Sequence, residues 1–135
     1  MAHEGETEMI NKYTFYSGLL LALCTRRRSF RAEGRQFYEA FMETVEFANR
    51  EPELIAIEGS EHIFLDPTFG VVREANEMIL EAEHDDIISL LNPRLKNAHF
   101  KITREEATQE LNQLAEAEWY LELAEKFDSC LEAQA

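Results

Sequence analysis

Apolar residues recur with a helical spacing over most of this chain, and the interruptions coincide with its few glycines and prolines. From Thr7 to Arg28, Ile10, Tyr13, Ser17, Leu21 and Cys24 fall on one face, while Tyr16, Leu19 and Leu23 fall roughly opposite. A helix that is apolar nearly all round is either central in its domain or covered on one side by a second subunit. Ser29 offers a cap for a second helix, in which Phe30, Phe37, Phe41, Val45 and Ala48 recur to Arg50, although Gly34 interrupts the pattern. Asp66 followed by Pro67 reads as the start of a third helix with an inner stripe of Val71, Ala75, Met78, Ile79 and Ala82. That helix is expected to run on through Asp85-Asp86 to Leu91 or to re-cap at Asp85-Asp86, with Asn92-Pro93 stopping it in either case. Thr103 with Glu106 forms a capping-box signature for a last helical stretch reaching Leu131. Its apolar stripe changes sides, from Ala107, Leu111, Leu114 and Ala115 to Ala117, Tyr120, Ala124, Phe127 and Leu131, which predicts a break near Trp119 or two halves serving different neighbours.

One stretch changes period. Residues 54–57 and 62–65 read as two short strands joined by a turn containing Gly59, and 98–102 is a candidate third strand. The expected architecture is therefore mainly α: a single domain over residues 1–135, built as a bundle of four to five helices with one small β-hairpin at 54–65. Residues 1–7 are expected to be disordered.

Composition supports that frame. A domain of 135 residues buries roughly two thirds of its unfolded surface. With 45% apolar residues, nine Phe, four Tyr and one Trp, the chain has material for a core that an acidic disordered tail lacks. Cys24 and Cys130 lie far apart and fit no zinc or redox spacing, the pattern of free thiols in a reducing compartment. The acidic first residues do not resemble a signal peptide and the run Leu19–Cys24 is too short to span a bilayer, so the expected location is the cytoplasm, with no membrane partner.

The net charge of −14 disfavours a nucleic-acid partner, yet the charge is unevenly placed. Residues 9–32 hold five basic residues and no acid, and 93–104 sum to +4, whereas 33–92 sum to −12 and 105–135 to −8. Arg26, Arg27, Arg28, Arg31 and Arg35 form the densest basic island and are the candidate anion-binding residues, because guanidinium forks pair carboxylate and phosphate bidentately. The competing explanation is that they satisfy helix-terminal carbonyls and pair with surplus Glu.

Other chemistry is thinly supported. Glu81 and His84 make one Glu-x-x-His unit of the kind di-iron bundles use, which Glu39, Glu43 and Glu46 could nominally complete, but Glu77, Glu81 and His84 point away from the apolar stripe. His3, His62, His84 and His99 lie in unrelated settings, and the dispersed glycines form no phosphate-cradling loop, so no catalytic residue, resident metal or cofactor is expected. Glu118 and Glu122 would be buried if the last helix were straight and solvated if its apolar face switches.

The function that best fits this pattern is a non-enzymatic, acidic protein-interaction module of adaptor, chaperone or inhibitor type, homodimeric or bound to another protein. Phe15, Leu19 and Leu23, with Tyr120, Phe127 and Leu131, are its expected contact residues, because a doubly apolar first helix and a face switch in the last suggest surplus apolar surface. The alternatives are a carboxylate-rich metal-binding protein built on Glu81 and His84, and an inhibitor whose acidic faces imitate nucleic acid.

Overall fold

The computed structural model describes residues 8–50, 55–92 and 96–132. Five helices form most of the domain: α1 (Lys12–Cys24), α2 (Arg35–Ala48), α3 (Arg73–His84), α4 (Arg104–Leu111) and α5 (Ala117–Glu132). Strands β1 (Glu8–Ile10) and β3 (Ile55–Ile57) pair in parallel, with Ile10 opposite Ile57, while β2 (Ser29–Arg31), β5 (Asn97–Phe100) and β4 (Ile88–Asn92) make an antiparallel sheet in the order β2-β5-β4. The expected mainly α fold is what the described residues form; the small antiparallel sheet lies at β2-β5-β4 instead of at 54–65, and the expected third strand at 98–102 corresponds to β5.

The central position of α1 follows from its sequence. Phe15 to Leu23 contains one half-buried residue, Ser17, and is otherwise buried, because α3, α4 and α5 pack around the helix. Asn11 caps its first turn by accepting from the Tyr13 amide at 2.7 Å. The closest approach is at Gly18, where a Cβ would lie 2.4 Å from the Tyr120 ring of α5. Phe15 reaches the rings of Phe41 on α2 and Trp119 on α5, and Phe30 and Phe37 meet Phe127, so one aromatic cluster ties β2, α2 and α5 together.

Several boundaries differ from the pattern-based expectation, each for a local reason. Residues 29–31 are a strand, since Ser29 to Arg31 pair with β5 and Gly34, at φ +91°, forces a turn before α2. The hairpin at 54–65 does not form. Residues 55–57 are a strand whose partner is β1, and Gly59, left-handed at φ +78°, leads into a single 3-10 turn over Ser60–His62. Leu54 lies outside the described residues, as does the expectation for residues 1–7.

Asp66 and Pro67 do begin a helical turn, closed by the Gly70 amide donating to the Asp66 carbonyl at 2.8 Å. Gly70, at φ +67°, stops it after that one turn, and α3 starts at Arg73. Asp86, left-handed at φ +60°, ends α3, so Ile88–Asn92 pair with β5 instead of continuing the helix. The stretch after Thr103 breaks at residues 112–116, its capping box intact. Glu118 and Glu122 are accordingly exposed. No helix among the described residues is long and apolar enough to cross a membrane.

Candidate functional site

The six expected contact residues lie in the interior of this chain. Phe15, Leu19, Leu23, Tyr120 and Phe127 are fully buried and Leu131 is nearly so. The second apolar face of α1 and the switched face of α5 cover each other, and a partner would reach these side chains only by opening the core.

The basic island is divided among three tasks. Arg26 Nε and Arg27 Nη1 each donate to Asp128 of α5 at 3.0 Å, one to each carboxylate oxygen. Arg28 turns the other way, donating from Nη2 to the carbonyls of Phe100 and Ile102 just past β5 and lying within 3.2 Å of Cys24 Sγ. Arg31 and Arg35 are well exposed and sit beside Glu33 and Glu39. Arg27, Arg31 and Arg35, with Glu33, Gly34 and Gln36, line a cavity of about 440 Å³ at the start of α2, which Gln36 closes by donating to the Leu131 carbonyl. Three of the five candidate anion-binding residues thus line one cavity, but Arg27 also serves the fold, through its pairing with Asp128, as Arg26 and Arg28 do through their own contacts. The acidic neighbours of Arg27, Arg31 and Arg35 neutralise much of the cavity's charge.

Glu81 and His84 are exposed on α3, and no group of three or more His, Cys, Asp or Glu among the described residues is arranged to hold a metal ion. The two cysteines are free: Cys24 is buried, and Cys130 Sγ donates to Glu43 at 2.9 Å. Burial first, and then the Glu43 carboxylate, push the Cys130 thiol up to about 11, which leaves it protonated and a poor nucleophile at neutral pH.

Among the described residues, three of the large exposed apolar groups fall in one loop, the others (Met9, Tyr13, Leu80 and Leu121) being placed elsewhere. Phe64 is 63% exposed, Leu65 44% and Phe69 76%, all in the loop between the 3-10 turn and α3. Residues 66–71 of this loop are tied by local hydrogen bonds. Asp66 Oδ1 accepts from the amides of Thr68 and Phe69 at 2.7 and 3.1 Å, and the Asp66 amide donates to the Val71 carbonyl at 2.8 Å. Phe69 is therefore held at the tip of a closed turn and projects into water. Beneath the loop is a cleft of about 220 Å³ lined by Phe64, Asp66, Val71, Arg73 and Glu74. The Glu74 side chain is only 8% exposed, and Arg73 Nη2 lies 3.2 Å from its Oε2. Residues 55–92 carry nine acidic groups and one basic, so the loop lies in a strongly acidic part of the chain, as residues 105–132 do.

Sequence reasoning missed this loop because Asp66-Pro67 resembled the start of a long helix, in which Phe69 would be one more residue of the first turn. Gly70 is the available signal, since a glycine four residues after a capping Asp is placed to end the turn in the left-handed conformation. In comparisons with protein-family models, with curated proteins and with solved structures, nothing matches this chain.

Proposed function

We propose that this chain is a non-enzymatic protein-interaction module whose contact surface is the 63–72 loop, and that its partner presents a basic segment with apolar side chains. The observation that supports this most directly is the hydrogen-bonded turn that keeps Phe69 in solvent, in the same loop as the exposed Phe64 and Leu65. Large apolar groups gain nothing from water, and one held on a hydrogen-bonded turn, as Phe69 is, binds with less loss of conformational freedom. Charge selects the partner. A net −8 over residues 55–92 attracts a basic segment and repels a second copy docked through the same face.

Synthetic peptides of equal length test the reading by fluorescence anisotropy: one basic and apolar, one acidic and apolar, one basic and polar. The expected result is binding of the first alone, weakening with added salt and lost in Phe69→Asp. Equal binding of all three, or no effect of Phe69→Asp, would overturn it. Light scattering at tens of micromolar supplies a further outcome, since a stable dimer that Phe69→Asp dissociates would make a second copy the occupant and refute the basic-partner proposal.

A further inference from the structure

The geometry points to the cleft beneath the loop as a pocket for one cationic side chain, arginine or lysine, of the partner segment; this deepens the reading of the loop as a contact surface and rests on it. Glu74 is the central observation. A carboxylate this far removed from water is costly unless it is well paired. Its ion-pair partner is Arg73, the preceding residue, whose own side chain is 84% exposed. A guanidinium held so loosely in solvent contributes little and is readily displaced. Glu74 already accepts an arginine from its own chain, and an incoming guanidinium or ammonium would take that place from a less solvated position.

The rest of the cleft suits the same ligand. Asp66 supplies a second carboxylate, of which Oδ1 is occupied by the loop amides. Together with Glu74 it sets two carboxylates against the single, exposed guanidinium of Arg73, so the lining is net negative and favours a cation. Phe64 and Val71 provide apolar walls for the methylene stem of a long basic side chain, and the exposed Phe64 ring offers a face to its charged end. A volume of about 220 Å³ falls below that of a drug-sized pocket and fits a single side chain. Two carboxylates flanked by apolar walls match an organic cation better than a metal ion, which needs more oxygen donors.

The test is a titration of the isotopically labelled protein, followed by NMR, with acetylated and amidated arginine, lysine and citrulline. Citrulline has the shape of arginine without its charge. Expected are shifts confined to amides of residues 63–75 with arginine and lysine, saturating in the millimolar range, and binding of citrulline weaker by roughly tenfold. Glu74→Gln should weaken the arginine probe by a similar factor, whereas Phe69→Asp should leave it unchanged while abolishing binding of the basic apolar peptide. Loss of peptide binding to Phe69→Asp with no response to the arginine probe would refute the pocket and keep the contact surface; the reverse would refute the surface. Equal binding of citrulline and arginine by the unaltered protein refutes the pocket without reference to any variant.

Discussion

Glu77 gathers three donors from α1, and its position makes a test of how α1 and α3 are joined. Tyr16 donates to it at 2.7 Å, Lys12 approaches to 3.0 Å and Tyr13 donates at 3.4 Å. Burial alone would raise its carboxyl, but the Tyr16 and Lys12 hydrogen bonds outweigh that and hold it below the ordinary 4.5. A carboxyl depressed by folding stabilises the fold above its unfolded pKa, and the contribution is lost as pH falls through the folded value. Glu77→Gln should therefore lower the urea midpoint at pH 7, and the gap from the unaltered protein should close at pH 2; a gap independent of pH would show that the charge is not what matters. Gly18 tests packing in the same way. Alanine at an ordinary helical position gains about 1 kcal/mol, but here its methyl meets the Tyr120 ring, and overpacking costs about 1 to 3 kcal/mol. Gly18→Ala should lower thermal stability, and adding Tyr120→Leu to it should recover part of the loss.

At the scale of elements, Gly70 decides where α3 begins. Nothing lies within 4 Å of a Cβ built there, so the cost of a side chain is purely the left-handed backbone. Gly70→Ala should destabilise by about 1 kcal/mol and Gly70→Asn by less, measured by urea unfolding; equal losses would contradict this account. The same residue shows why some of the fold was legible and some was not. The inner stripe of α3, with Ala75, Met78, Ile79 and Ala82 buried, follows from helical spacing alone, as do the buried Phe37, Phe41, Val45 and Ala48 of α2. Thr103 and Glu106 fix the start of α4 through contacts three residues apart. The short strands are different. Ser29–Arg31 is a strand because β5, some 70 residues on, lies beside it, and local spacing carries no record of so distant a partner; Ile88–Asn92 pairs with the nearby β5 only because Asp86 ends α3 before it. The loop at residues 63–72 is hidden for a related reason, since a capped single turn and the first turn of a helix begin with the same residues.

Across the whole molecule, opposite charges separated in sequence meet in space. The basic island at the end of α1 is anchored by Asp128 on α5, whose side chain is only 14% exposed. Asp128→Asn removes the charge that orients both Arg26 and Arg27 and should cost about 2 kcal/mol, with a smaller penalty in high salt, as read by chemical unfolding. An unchanged midpoint would mean that the pairing is incidental. The pairing of α1 with α5 also sets an order of events during synthesis. The segment that becomes the most apolar helix leaves the ribosome with its principal cover, residues 117–132, still untranslated. At ordinary elongation rates the interval between them lasts roughly 5 to 20 s. For that time Leu19, Leu20 and Leu23 have only the earlier segments to shelter them, which makes the nascent chain, rather than the finished protein, the state most exposed to aggregation.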